Sequence, residues 1–188
     1  MKISKDRLGA FTDAIIAIAA TIMALELATP LKTTWLGLGS QWLTFVAYII
    51  SFSLIWLGWL NYYTAFEKLE NVGIKEFLWN GVWVFIVTLI PFATRWVSEH
   101  PDKSLPEFLY CLVMFSWAVV FQLMENQIIR DYPKQKISET YTGWLRYTVI
   151  TCYIIAMVMA FIIPICSIFI VALIVVIWMI GLVKAKIN

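Results

Sequence analysis

Three ionisable residues flank the first apolar stretch of the chain, which reads DRLGAFTDAIIAIAATIMALEL over 6–27. Arg7 and Asp13 lie near its start, Glu26 lies at its end, and the hydroxyl residue Thr21 stands among alanines and isoleucines. Charged groups inside an apolar segment cost several kcal/mol unless they are paired or hydrated, so they are candidates for an ion pathway or a proton relay. The chemistry that these residues suggest is ion binding and transfer.

The chain offers little for catalysis or for a metal centre. Its single histidine, His100, lies in a polar turn, and its three cysteines lie in or beside apolar runs without the spacing of metal ligands. We interpret Cys111, Cys152 and Cys166 as reduced, buried thiols that fill space. Because no histidines, cysteines or paired carboxylates cluster at one depth, we predict no enzymatic activity, no cofactor and no bound metal.

The composition is typical of an integral membrane protein. Of its 188 residues, 62% are hydrophobic and 14% are charged, whereas soluble domains carry about 25% charged residues. Apolar runs of the roughly 20 residues that a bilayer requires recur along the whole chain, so little material remains for a soluble domain. Lys2, Lys5 and Arg7 resemble the start of a signal peptide, but Asp13 and the absence of a small-residue cleavage site favour a mature helix.

Six membrane spans are predicted, and they form one domain over residues 1–188. Their approximate bounds are 8–27, 41–64, 77–97, 106–127, 144–163 and 166–184. Prolines mark the breaks, and Pro91 predicts a further break near the end of the third span. The last two spans are almost continuous, and we interpret Pro164 and Ser167 as a tight hairpin, because about 40 residues are too many for one helix across the bilayer.

The distribution of positive charge predicts the orientation. One side of the membrane would receive eleven basic residues, namely Lys2, Lys5, Arg7, Lys68, Lys75, Arg130, Lys134, Lys136, Arg146, Lys184 and Lys186. The other side would receive only Lys32, Arg95 and Lys103. Since cytoplasmic loops carry the excess of lysine and arginine, we predict that both termini face the cytoplasm.

One face of the first span is a candidate passage. At 100° per residue, Ile18, Ile22 and Leu25 share this face and Thr21 lies at its edge, whereas Asp13 points roughly to the far side and could bind neighbouring helices. The face continues toward the N-terminus through Arg7, Phe11 and Ala14. The alternative is an ordinary packing surface, with the Thr21 hydroxyl bonded back to the Ala17 carbonyl.

The second and third spans carry polar side chains near the same cytoplasmic level as Asp13. Asn61 and Tyr62 end the second span, and Asn80 begins the third. Aromatic belts explain most clusters of this kind, but Asn61 needs a partner at that depth. Asp13, Asn61, Tyr62 and Asn80 could share one polar network at the inner end of the bundle.

Three segments resemble a known family. RLGAFTD, from Arg7 to Asp13, is similar to the RxxxFSD signature of the transmembrane protein 175 family of endolysosomal and bacterial potassium channels, with Thr12 in place of the usual serine. SFSLIWLGWLNYY resembles the second helix of the family, and LWNGVWVFIVTLIPFAT resembles the third. The resemblance covers about residues 5–95, and the last three spans match only in number and length.

The resemblance implies an all-α membrane protein with six transmembrane helices per subunit, in which the first helix lines the central pore of a homotetramer. Counted from the motif aspartate, it implies a hydrophobic constriction at Ile18 and further pore-facing layers at Thr21 and Leu25. Its bacterial members imply a plasma-membrane location. Tyr62 or Tyr63 stands where the family commonly has histidine, so no role of that histidine is carried over.

The function that we expect is a potassium-permeable cation channel without a TVGYG filter. Ile18 and Leu25 would form its gate, Thr21 and Ile22 would line its pore, and Glu26 would either concentrate cations at the outer mouth or be a solvated interfacial charge. The motif residues are Arg7, Phe11, Thr12, Asp13, Asn61, Tyr62 and Asn80. The expected partners are potassium ions, the lipid bilayer and further copies of the chain, with no nucleic acid. The alternative is a small proton- or cation-coupled transporter.

Overall fold

The computed structural model describes residues 3–133 and 143–187 and forms an all-α bundle. Its helices are α1 (Lys5–Leu25), α2 (Trp35–Gly39), α3 (Trp42–Phe66), α4 (Ile74–Glu99), α5 (Ser104–Asp131), α6 (Gly143–Met159) and α7 (Ile165–Ile187). Two short strands, β1 (Ile3–Ser4) and β2 (Asn71–Val72), pair antiparallel and tie the start of α1 to the connection between α3 and α4. Of the residues used for orientation, Lys2, Lys134 and Lys136 lie outside the described residues, as do the side chains of Lys184 and Lys186.

Within the described residues, five helices are long and apolar enough to cross a membrane, namely α1, α3, α4, α5 and α7. The fifth predicted span lies on α6, which has 17 residues and ends at Met159, earlier than the predicted 163. The chain turns there, because the amides of Ile163 and Ser167 donate to the carbonyls of Met159 and Pro164. The predicted hairpin at Pro164 is confirmed, and α7 begins at Ile165.

Helix α4 runs through Pro91 without ending, so the predicted break at this proline is wrong. A proline removes one backbone hydrogen bond from a helix. Ending the helix in the membrane would leave several backbone groups without partners, which costs more. Pro91 is buried, and α4 packs against α1, α3 and α5, which hold the helix together on both sides of the proline.

An aromatic stack at the centre of the bundle joins α3, α4 and α5. The Trp83 ring lies 5.3 Å from that of Tyr62 and 5.4 Å from that of Trp117, and both pairs are stacked. Trp83 has no exposed surface. Gly58 of α3 lies directly against the Trp117 indole, because a Cβ atom at this position would overlap that ring. The missing side chain of Gly58 therefore allows α3 and α5 to approach.

Gly58→Ala is expected to destabilise the protein by about 1–3 kcal/mol, because the added methyl group overpacks a rigid aromatic core. The measurement is the thermal unfolding temperature of purified protein in detergent. Gly81→Ala is the matched control, since a Cβ atom there meets no heavy atom within 4 Å and alanine favours a helix over glycine by about 1 kcal/mol. A Gly58→Ala variant as stable as Gly81→Ala would contradict the overlap.

Candidate functional site

Helix α1 packs one face against its own subunit. Its buried residues are Leu8, Thr12, Ile16, Ala19 and Met23, which recur every three or four positions. This spacing places them on one side of an α-helix, where they contact α3 and α4. The rotation of α1 about its axis is set by this packed face.

The opposite face of α1 is the predicted stripe, and nothing in the described subunit covers it. The exposed fractions are 56% for Ile18, 39% for Ile22 and 85% for Leu25, and Thr21 is also exposed. Phe11, at 60%, continues the stripe toward the N-terminus. Of the five helices long enough to cross a membrane, α1 has the smallest buried share. In its most apolar 18-residue segment 28% of the residues are buried, against 33–44% in the other four helices. The stripe is therefore free to meet lipid, water or another copy.

The Thr21 hydroxyl lies on this exposed face and donates its proton to the backbone of α1. It donates to the Ile18 carbonyl at 2.8 Å, one residue closer along the helix than the expected Ala17 carbonyl. A hydroxyl group has one donor and two acceptor lone pairs. Because the donor is bound within the helix, the lone pairs of Thr21 are the part of the group that remains on the exposed face.

Thr12 joins α1 to α4 on the buried side. The Asn80 amide Nδ2 donates to Thr12 Oγ1 at 3.0 Å, and both residues are at most 1% exposed. A buried amide and hydroxyl pair is worth more than the same contact in water, because each group would otherwise be desolvated without a partner. The predicted network groups Asn80 with Asp13, whereas the structure pairs Asn80 with Thr12 and buries Tyr62 against Trp83.

Asp13 faces the groove between α1 and α3. Its carboxylate accepts a hydrogen bond from Trp59 Nε1 at 2.9 Å. Two adjoining cavities, of about 290 and 240 Å³, meet at Asp13 and run along this groove. Asn61 instead lines an interior void beside Trp83 and Trp117, and Arg7 is exposed. Two motif residues thus bind neighbouring helices: Thr12 through the buried Asn80, and Asp13 through Trp59 at the surface of the subunit.

Glu26 follows the last residue of α1 and is held by an ion pair. Arg95 of α4 donates to the Glu26 carboxylate through Nη1 and to Glu99 through Nε, the latter at 2.9 Å. The side chains of Arg95 and Glu26 are 54% and 32% exposed, so the group lies at the surface of the bundle. Glu26 is therefore neither a free charge nor a purely solvated one.

Sequence reasoning missed the partners in these pairs. Nothing in the local sequence of Trp59 identifies it as the partner of Asp13, and Arg95 entered only as a basic residue that predicts orientation. It also missed a buried ion pair near the start of α6, where Arg146 Nη2 lies 2.9 Å from the carboxylate of Glu125 on α5. The available signal was the charge of Glu125 inside an apolar helix, which requires a partner of opposite sign.

These features define a multi-pass α-helical membrane protein whose first helix presents an uncovered, largely apolar stripe. The family model described as endosomal/lysosomal potassium channel TMEM175 matches residues 7–91. A relative from Chryseobacterium sp. (strain P1-3), named a potassium channel, is 31% identical over 94% of this chain and 93% of its own. The chain belongs to the TMEM175 family.

Two further comparisons extend this assignment. A protein of Chamaesiphon minutus named a potassium channel is 32% identical over 61% of this chain and 61% of its own. The crystal structure of a protein titled a lysosomal potassium-selective channel TMEM175 homolog, from the same species, superposes with a TM-score of 0.81. It is 23% identical and covers 94% of this chain and 96% of that chain, so the two proteins share one fold along almost their entire length.

Proposed function

We propose that this chain is the subunit of a potassium-permeable cation channel that conducts passively through a pore lined by α1. The observation that carries the proposal is the division of α1 into a packed face and an uncovered face that holds Ile18, Thr21, Ile22 and Leu25. Membership of a family of potassium channels supports the choice of ion. The whole-length similarity to a potassium channel supports the choice of a channel over an enzyme.

The working assembly is a homotetramer with α1 at its centre. One helix face cannot enclose an ion path, so several copies must surround a common axis, and closed rotational symmetry is the usual arrangement. Four copies would cover the stripe that one subunit leaves exposed. Both termini face the cytoplasm of a bacterial cell in this proposal, in line with the excess of basic residues at that side.

Within this pore the stripe residues have separate roles. Rings of Ile18 and Leu25 form hydrophobic constrictions, which oppose the passage of a hydrated ion and gate by dewetting. Thr21 lies one turn from Ile18 and offers its lone pairs to an ion that has lost part of its water, and Ile22 lines the wall beside it. No TVGYG filter is required, because the hydroxyl ring supplies the oxygens.

The motif residues hold α1 in this position. Thr12 and Asn80 bind α1 to α4, and Asp13 and Trp59 bind it to α3. These two contacts hold α1 in the rotation that its packed face sets, and so support the choice of residues that face the pore. Arg7 and Phe11 lie on the exposed side at the inner end, where they would line the inner mouth.

The test is a flux assay on purified protein in liposomes together with a measurement of its stoichiometry. A K⁺ gradient should collapse at a rate that follows the electrical driving force without saturating, and native mass spectrometry should give four chains. Empty liposomes with a potassium ionophore supply the reference rate. Strict coupling of K⁺ movement to a counter-ion would favour the transporter with Asp13 as its proton carrier, and a monomer would exclude a pore made from one helix stripe.

A further inference from the structure

Three charged side chains meet at the C-terminal end of α1, where the mouth of the proposed pore lies. Glu26 and Glu99 both bind Arg95, which lies between them. Glu26 and Arg95 are 69 residues apart and connect α1 to α4, whereas Glu99 lies on the same helix as Arg95, one turn further on. The hydrogen bond from Arg95 to Glu26 therefore connects α4 to the residue that directly follows the proposed pore-lining helix.

Glu26 lies close to the proposed pathway. It is the C-cap residue of α1 and follows Leu25, which is 85% exposed. A charge at this position contributes to the potential that a cation meets at the mouth of the pore. Arg95 places its positive charge directly on that carboxylate.

We infer that Arg95 is a residue that sets the cation conductance, by cancelling part of the negative charge that Glu26 and Glu99 place at the mouth of the pore. The three side chains together carry one net negative charge per subunit, and they would carry two without Arg95. Fixed negative charge at a cleft raises the local concentration of cations and their rate of entry. Arg95 holds this concentration below the value that the two carboxylates alone would produce. The inference rests on the proposed function and adds a determinant of conductance to it.

The physical signature of this role is its dependence on salt. The Debye length is about 30 Å at about 0.01 M ionic strength and about 3 Å at about 1 M. A charge beside the mouth therefore acts on entering ions in dilute salt and is screened in concentrated salt. A purely structural role of Arg95 would change the current equally in both.

The experiment measures single-channel K⁺ currents in planar bilayers at about 0.01 M and about 1 M KCl. Arg95→Gln is expected to raise the current in dilute salt about two- to fivefold and to leave it unchanged in concentrated salt. The rise should be larger for ions that enter from the Glu26 side. Glu26→Gln and Glu99→Gln, which remove one negative charge each, should lower the current in dilute salt.

Two variants separate charge from geometry. Arg95→Lys keeps the charge but loses the forked contact with two carboxylates, and it should conduct like the wild type. The double variant Arg95→Gln with Glu26→Gln restores the net charge of the wild type, and its current should return to the wild-type value. Arg95→Lys with the current of Arg95→Gln would overturn the inference.

The outcomes distinguish this inference from the proposed function. A wild-type protein that conducts K⁺ while Arg95→Gln matches it in dilute salt would overturn the inference alone. A wild-type protein that carries no K⁺ current in either salt would overturn the proposed function and this inference with it. Arg95 is half exposed, so its replacement is expected to leave the fold intact, which gel filtration of each variant checks.

Discussion

Ile18→Ala is expected to raise the single-channel K⁺ current. The rise is about tenfold if the Ile18 side chains of the four subunits together contribute about 1.4 kcal/mol to the barrier for an ion. The Ile18 side chain is 56% exposed in the subunit and lies on the face of α1 that its neighbours leave uncovered. Truncation to alanine widens a hydrophobic constriction and favours its hydration, which lowers the barrier. Discrimination between K⁺ and Na⁺ should weaken in the same variant. The measurement is the current and reversal potential of single channels in a planar bilayer.

Ile16→Ala is the control for Ile18→Ala. Ile16 is 7% exposed and lies on the packed face of the same helix, so the same truncation changes the core of the subunit. We expect a loss of about 2–5 kcal/mol in stability with little change in the current of the channels that remain folded. Equal currents in wild type and Ile18→Ala, from tetramers of equal stability, would exclude Ile18 as the constriction.

Glu125→Ala is expected to destabilise the protein by about 3–5 kcal/mol, because it leaves Arg146 without its buried partner. The Glu125 side chain is fully buried, and that of Arg146 is only 18% exposed. Arg146 also donates to the Asn126 amide oxygen at 2.8 Å, so the guanidinium is held between α5 and α6 and cannot move easily into water. The measurement is the thermal unfolding temperature in detergent, read by tryptophan fluorescence.

The exposed pair of Asp102 and Lys103 provides the matched control. These side chains are 73% and 64% exposed and lie 3.0 Å apart, and exposed ion pairs contribute little. Asp102→Asn should leave the unfolding temperature unchanged. The double variant Glu125→Leu with Arg146→Met removes both charges and should recover most of the lost stability, because no charge is left uncompensated. If Glu125→Ala unfolds at the same temperature as Asp102→Asn, the pair does not stabilise the bundle.

The two predictions use features that the sequence revealed to different degrees. A helical wheel places Ile18 on one face with Ile22 and Leu25, because a helix repeats every 3.6 residues. Whether that face is exposed depends on which face of α1 packs against its neighbours. Glu125 and Arg146 are visible only as charges near apolar segments, and nothing in their local sequence identifies each as the partner of the other. They are 21 residues apart, and the packing of α6 against α5 brings their side chains within 2.9 Å of each other.

The sequence by itself determined the membrane class and the grouping of the stripe residues on one face of α1, since these depend on composition and on the regular rotation of a helix. That this face stays uncovered was decided by the tertiary structure, which packs the other face. The tertiary structure decided the partners. It placed Thr12 with Asn80, Asp13 with Trp59 and Glu26 with Arg95, pairs that are 68, 46 and 69 residues apart.

The continuity of α4 through Pro91 was also decided by the tertiary structure, because packing on neighbouring helices outweighs the loss of one backbone hydrogen bond. Local sequence sets how a helix turns, but the rotation and depth at which helices pack set which side chains meet. Those two quantities depend on contacts between residues far apart in the chain, such as Gly58 against Trp117, and the periodicity of a single segment does not contain them.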